Sequence, residues 1–159
     1  MKISALDEYG LRILLRIASA QGEEGLSISQ LSELEGLSTS YVAKLTRTLR
    51  KGGLISSTRG QKGGYVLSKP PSEITINQAL KTLGGTLFDK EFCGSHSGDL
   101  RICTNSVNCS IRSLWRLVQE NIDQLLDQVT LEHLMGSERE STRTLRQFIL
   151  SEDGQLASR

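Results

Sequence analysis

Ser27-Ile28-Ser29-Gln30-Leu31-Ser32-Glu33-Leu34-Glu35-Gly36-Leu37-Ser38-Thr39-Ser40-Tyr41-Val42-Ala43-Lys44-Leu45-Thr46-Arg47-Thr48-Leu49-Arg50-Lys51-Gly52-Gly53 reads as two helices with a turn between them. Ser27 and Gln30 stand at capping-box spacing, where each side chain accepts from the other residue's backbone N–H. Ile28, Leu31 and Leu34 are expected on one face of this short helix, with Gly36 as its stop. Ser38 is placed to cap a second helix in which Val42, Leu45 and Leu49 recur at i, i+3 and i+7. Ser40, Lys44 and Arg47 point away from that stripe, and Tyr41 lies at its border. One face is therefore apolar and the other basic. Beyond Gly52-Gly53, the strand-like runs 54–58 and 65–68 flank Arg59-Gly60-Gln61-Lys62-Gly63-Gly64, the composition of a hairpin with a flexible basic tip. Helix, turn, helix and basic hairpin in this order predict a winged helix-turn-helix, in which the second helix of the motif enters the major groove.

Outward from this motif the periodicity continues. Ser4-Ala5-Leu6-Asp7 is a further capping box, and Tyr9, Ile13, Leu14, Ile17 and Ala18 follow at helical spacing, so a helix is expected to about Gln21, before a break at Gly22-Glu23-Glu24-Gly25. Downstream, Pro70-Pro71 ends the hairpin, Thr75 opens a short helix through Leu83, and Gly84-Gly85 closes it. Residues 1–85 thus form one DNA-binding domain. Residues 86–109 show little periodicity and read as a cysteine-bearing loop, long enough to favour a functional segment over a connector. Ile111, Leu114, Val118, Ile122, Leu125 and Val129 then trace a long helix with a heptad-like seam. Trp115, Leu117 and Leu126 widen its apolar surface, so residues 110–136 are expected to form a dimerisation helix and a short closing segment, and the chain a homodimer. The tail 137–159 is polar and charged, with Leu145, Phe148, Ile149 and Leu150 as its apolar cluster, and is expected to be mobile or weakly helical. The fold class is mainly α with a small β-hairpin.

Charge maps onto the same plan. The 159 residues carry a net charge of only +1, yet residues 36–72 hold seven lysines and arginines with no Asp or Glu, which leaves the rest of the chain at −6. Such a block faces a polyanion, and double-stranded DNA is the expected partner. Ser38, Ser40, Tyr41, Lys44 and Arg47 on the second helix, with Arg59 and Lys62 at the hairpin tip, are the candidate contacts. Arg47 suits guanine acceptors or a phosphate, while Ser38 and Ser40 at a helix N-terminus suit a phosphate held by backbone N–H groups. At 17.5 kDa the chain excludes a large multidomain enzyme. It has no run of eighteen apolar residues, hence no membrane span, and no secretory signal at Met1-Lys2-Ile3-Ser4, so a cytoplasmic location is expected. His96 and His133 are its two histidines, and neither stands in a catalytic arrangement with a cysteine. An enzyme is not expected.

Cys93, Cys103 and Cys109 follow as C-x9-C-x5-C. An odd number in a reducing compartment argues against a disulfide framework, and the absence of close C-x2-C pairs argues against zinc, although His96 would complete four ligands. Soft thiolates around a polar loop point to a metal or an iron-sulfur cluster, with three inert structural cysteines as the alternative.

Together, Met1-Lys2-Ile3-Ser4, Ile28-Ser29-Gln30-Leu31-Ser32, Ser40-Tyr41-Val42-Ala43-Lys44-Leu45, the wing 59–65 and the three cysteines resemble the IscR/NsrR/RirA family of bacterial transcription regulators over residues 1 to about 136. The resemblance implies a homodimeric winged-helix repressor or activator that senses iron, redox or nitric-oxide status. By the same resemblance Cys93, Cys103 and Cys109 are ligands of a cluster of two-iron two-sulfur or four-iron four-sulfur type. IscR-like members carry a histidine three residues after the third cysteine, but here Arg112 stands there and that ligand does not carry over. NsrR-like members use an acidic residue of the partner's first helix. Glu8 holds the similar position, with Asp7, His96 or a non-protein group as the other candidates. A cluster-free regulator that senses oxidants through its thiols is the alternative function.

Overall fold

The computed structural model describes residues 3–20, 25–58, 63–88, 91–95, 103 and 105–156, with side chains through residue 148. Local capping sets the ends of its first helices. In α1 (Ala5–Ser19) the Asp7 N–H donates to the Ser4 hydroxyl at 3.2 Å and the Ser4 N–H donates to the Asp7 carboxylate at 3.1 Å. Helix α2 (Ile28–Glu35) repeats that box with Ser27 and Gln30 and ends on Gly36 at φ 64°. Helix α3 (Thr39–Lys51) is capped by Ser38, whose hydroxyl accepts from the Tyr41 N–H. Strands β1 (Ile55–Ser57) and β2 (Tyr65–Leu67) pair antiparallel with Ile55 opposite Leu67. Gly25, at φ 71°, lets Leu26 exchange two backbone hydrogen bonds with Tyr65, because a Cβ there would sit 2.3 Å from the Tyr65 carbonyl oxygen. The chain before α2 is thereby laid along the hairpin. Helix α4 (Ile76–Leu83) is capped by Thr75 and ends on Gly84 at φ 93°.

The apolar stripes of these elements meet in one core. Ile13, Leu14, Leu31, Val42, Leu45, Leu49, Ile74 and Ala79 are fully buried, and Leu54 and Ile55 nearly so. At about 1.5–3 kcal/mol for each large side chain buried, this cluster outweighs any surface ion pair. After the 86–109 segment, α6 (Ser110–Gln128) returns along α4, and residues 129–131 close the domain. The Ile76 N–H donates to the Val129 carbonyl and the Leu131 N–H to the Ile74 carbonyl, both at 2.8 Å, which draws Val129 and Leu131 into the core.

Three expectations change. Leu34 does not face the core: it is 48% exposed, and Glu35 takes the buried position instead. The reason lies on α1, where the Nε of Arg12 and of Arg16 donate to the two Glu35 oxygens at 2.6 and 2.5 Å. A short helix has little apolar surface to set its rotation, and this fork of two cations turns it by one position. The 86–109 segment, read as a loop, contains one helical turn, α5 (Phe92–Ser95), which includes Cys93. The tail, expected to be mobile or weakly helical, forms a helix, α7 (Glu138–Leu156), over its described residues. Ser137 and Glu140 form a capping box at its start, and the Phe148 ring stacks on His133 at 4.9 Å between centroids, so a local start signal and one aromatic contact anchor it.

Removing both cations by Arg12→Ala/Arg16→Ala strands a buried carboxylate and is expected to cost about 3 kcal/mol in urea unfolding. Adding Glu35→Leu to that pair should recover most of the loss. If Glu35→Leu lowers stability further, the buried carboxylate is held by something other than these arginines.

The Ser137 hydroxyl and then its backbone N–H, both donated to Glu140, hold that carboxyl below its usual range. A depressed folded-state value means the box contributes above the unfolded value and is lost as pH falls through the folded one. Helical signal is therefore expected to drop on acidification below the ordinary carboxylate range. Glu140→Gln should flatten that part of the profile; an unchanged profile would rule out the box as its source.

Candidate nucleic-acid interface and cysteine segment

Helix α3 buries Val42, Leu45, Thr46 and Leu49 and turns Ser40, Lys44, Arg47 and Arg50 to solvent. Buried Thr46 is satisfied within the helix, its hydroxyl donating to the Val42 carbonyl at 3.0 Å. Among the described residues, none of Lys44, Arg47, Arg50 or Lys51 has a carboxylate partner, so the exposed face of α3 carries uncompensated positive charge. The hairpin stands directly after it. At the tip end of the strands the Thr58 N–H donates to the Gly64 carbonyl at 2.9 Å and the Gly64 N–H donates to the Thr58 hydroxyl at 2.8 Å. Arg59 and Lys62, expected at the wing tip, lie outside the described residues, as does His96.

Two of the proposed contacts have structural work already. Ser38 caps α3, and its hydroxyl lies 3.2 Å from that of Ser40. Tyr41 is half-buried, its ring edge-on to Tyr9 of α1 at 6.0 Å between centroids, while the Arg12 guanidinium lies 5.5 Å from the Tyr9 ring. A polar and aromatic junction thus joins α1, α2 and α3 at the edge of the core, against which both tyrosines pack. Sequence reasoning placed Tyr41 at the border of the stripe but missed Tyr9 and Arg12 as its support.

The cysteines lie between α4 and the start of α6 in the chain. All three are free thiols and half-buried. Cys93 lies in α5, and Cys109 is the N-cap of α6, its Sγ accepting from the Arg112 N–H at 3.3 Å. Arg112 also donates through Nη1 to the Ser106 carbonyl at 3.0 Å, so the residue standing where a histidine ligand is expected braces the Cys103–Cys109 connection instead. Among the described residues no three His, Cys, Asp or Glu side chains gather around a common point. The donor chemistry nevertheless suits a thiophilic group: three unbridged thiols on one segment. Of the acidic candidates, Asp7 uses Oδ2 in the α1 cap, while its buried Oδ1 lacks a hydrogen-bond partner and lies against Gly85. Glu8 is exposed on the first turn of α1 and free of any described ion pair.

The family profile named Rrf2, described as an iron-dependent transcriptional regulator, matches residues 3–137. The chain belongs to the Rrf2 family. It is 30% identical over 138 residues to the HTH-type transcriptional regulator IscR of Serratia proteamaculans (strain 568), a match covering 87% of this chain and 81% of that protein. Among solved structures it is similar to T. potens IscR, with TM-score 0.63 and 30% identity over 83% of this chain and 84% of that one. It is also similar to CymR, the global cysteine regulator of B. subtilis, with TM-score 0.65 and 31% identity over 84% and 95%. These relatives bear out the IscR resemblance and the winged-helix fold. They are transcriptional regulators and not enzymes, and this Rrf2 chain is a DNA-binding regulator. Among the described residues no helix is long and apolar enough to cross a membrane.

Lys44→Ala, which removes an exposed cation, is expected to weaken binding to every duplex and to lower the slope of log K against log salt by about one unit for each phosphate left without its cation. Arg47→Ala is expected to cost about 1–3 kcal/mol on the preferred site and to relax preference at one position per half-site. Equal losses on preferred and scrambled duplexes would make Arg47 another phosphate contact.

Proposed function

We propose that this Rrf2 regulator acts as a homodimer on a two-fold operator and that Cys93, Cys103 and Cys109 hold an iron-sulfur cluster through which iron, redox or nitric-oxide status sets its affinity for DNA. The observation that carries the reading is the placement of three free, half-buried thiols on one segment spliced between the DNA-binding domain and α6. A cluster, when bound, supplies a link that depends on iron and is broken by oxidants. The protein supplies the soft donors, with Cys109 at the N-terminus of α6, its Sγ accepting from the Arg112 N–H. Glu8 remains available as a fourth donor from the second subunit, since it is exposed while neighbouring Asp7 is committed to its cap.

Dimerisation follows from what α6 leaves uncovered. Its C-terminal half rests on α4, but Ile111, Leu114, Trp115 and Leu117 are 60, 50, 41 and 58% exposed. Ile111, Leu114 and Trp115 share one face at i, i+3 and i+4. A second copy presenting the same face covers both with one two-fold contact. Two recognition helices then meet two half-sites related by the same axis.

A second reading has an observation of its own. Because the described ligands do not converge, and because the fold is shared with a cysteine regulator, the thiols would instead respond directly to oxidants or small thiols without a cluster.

Anaerobic purification followed by iron and sulfide assay and an absorption spectrum separates the two. Iron, sulfide and visible bands that each single Cys→Ala substitution abolishes, in a protein that remains a dimer, are expected. Glu8→Ala should keep three ligands but shift the spectrum and speed cluster loss. A colourless, sulfide-free wild type would overturn the cluster and leave the thiol reading.

A further inference from the structure

The entrance to the cysteine segment is tied to α4 by a chain of polar contacts, and α4 to the end of the recognition helix α3 by close packing. As the chain leaves α4, the Leu87 and Phe88 N–H groups both donate to Oε1 of Gln119 on α6, at 2.8 and 3.0 Å. The other end of the same amide donates from Nε2 to Oδ1 of Asp123 at 2.7 Å, one turn further along α6. These partners settle the orientation of the amide: two N–H donors require its oxygen and a carboxylate requires its nitrogen. The second Asp123 oxygen accepts from Nζ of Lys81 on α4 at 2.8 Å. One turn closer to the start of α4, buried Asn77 donates to the Asp127 carboxylate at 2.8 Å. Thr82, next to Lys81, packs its methyl so close to Gly52, the C-cap of α3, that a Cβ there would lie 2.2 Å from it.

We propose that Gln119 is the positioning residue through which the state of the cysteine segment reaches the recognition helix, passing from the Leu87–Phe88 backbone through Asp123 to α4 and so to the end of α3. The inference rests on the reading that the cysteine segment controls DNA binding, but it assigns the transmission to a residue that neither binds DNA nor ligates anything. A carboxamide suits the task because it accepts and donates at opposite ends. It cannot move with the segment without pulling on Asp123, and it cannot be replaced by a carboxylate without setting two anions together. By contrast Arg112, which also joins the segment to α6, holds the Ser106 carbonyl near the start of α6 and makes no described contact to α4.

Continuity of contacts is not coupling, so the readout is a ratio of affinities. A duplex selected from a random pool by the wild-type protein is titrated anaerobically with protein whose thiols are free and with protein reconstituted with ferrous iron and sulfide. The wild-type affinities should differ by about 5- to 150-fold. Gln119→Glu keeps the acceptor for Leu87 and Phe88 but loses the donor to Asp123, and its ratio should collapse towards one while iron and sulfide content and the spectrum stay at wild-type values. The double variant Gln119→Glu/Asp123→Asn restores a hydrogen bond across the pair with donor and acceptor exchanged, and should recover the ratio. A purely structural role predicts equal losses in both states and no recovery. If Gln119→Glu keeps the wild-type ratio, or the double variant fails to restore it, the assignment of Gln119 is overturned. If the wild type itself shows a ratio of one, the underlying control by the cysteine segment fails instead. Should reconstitution leave no iron bound, the cluster fails, and the same ratios between diamide-oxidised and reduced protein decide the role of Gln119.

Discussion

Two missing side chains set the geometry of the DNA-binding domain. Leu83 of α4 lies against the bare backbone of Gly10 in α1, where a Cβ would come within 2.5 Å of its methyl carbons, and Thr82 lies against Gly52 at the end of α3. Helix α4 can enter the angle between α1 and α3 only because both positions are glycine. Close approach of α4 side chains to these two backbones brings Leu83, Ala79 and Ile76 into the same core as Ile13, Leu14 and Leu49. The presentation of the basic face of α3 depends on this seating. The apolar stripe of α3 is consumed by the core, and the remaining faces carry Lys44, Arg47 and Arg50 to solvent without carboxylate partners. Electrostatic attraction to DNA is thus a by-product of where apolar burial forces the helix to turn.

A second layer of contacts, polar and at the edge of the core, fixes rotation. The Glu35 fork to Arg12 and Arg16 fixes how α2 faces α1, and Arg12 also lies over Tyr9, which meets Tyr41 edge-on. The net worth of each such contact is small against the hydrophobic term, because the arginines are 44 and 48% exposed and screened, although removing them is costly since it strands the buried Glu35 carboxylate. Their value is directional. An apolar contact tolerates sliding, whereas a two-armed ion pair onto a carboxylate that is 1% exposed permits one arrangement. Recognition needs that property, because a helix rotated by one position presents different side chains to the groove.

The same distinction explains what was legible in the sequence. The caps at Ser4, Ser27, Ser38 and Thr75 and the stops at Gly36 and Gly84 depend on residues at most four positions apart, so each could be read directly, and the helix-turn-helix with its wing followed from them. The stripe Val42, Leu45 and Leu49 is long enough to set its own phase. Leu34 against Glu35 was not legible, because the deciding cations lie 23 and 19 residues earlier on another helix. The tail reads as mobile or weakly helical when its apolar cluster is weighed without its capping box at Ser137, and the turn of α5 is too short to show periodicity. In the cysteine region the sequence supplied residue types and spacing. Spacing does not say that Cys109 ends up as a helix cap or that Arg112 braces the connection, since both arise from where α6 begins. Gln119 and Asn77 were invisible for a related reason: a polar residue on an amphipathic helix gives no periodic signal that separates a tether from a solvated side chain.

These two kinds of contact divide α6 at its middle. Towards its C-terminus, Asn77, Lys81, Asp123 and Asp127 join it to α4 by directional bonds, and Val129 and Leu131 close the core behind it. Towards its N-terminus the same helix is bare, carries Cys109 as its cap, and offers only Ile111, Leu114, Trp115 and Leu117 to whatever covers them. A non-directional apolar face can pack against a second copy in more than one register with modest loss, while the polar half admits no such freedom without breaking hydrogen bonds. On the proposed dimer, a helix built in this way is a lever with a fixed end at the DNA-binding domain and a sliding end beside the cysteines. Gln119 stands where the two halves meet, in contact with the segment that leads to Cys93. Under the proposed control by the thiols, an event there that favours one packing of the bare half over another acts on the domain through the fixed half, and its reach is limited to the free-energy difference between those packings.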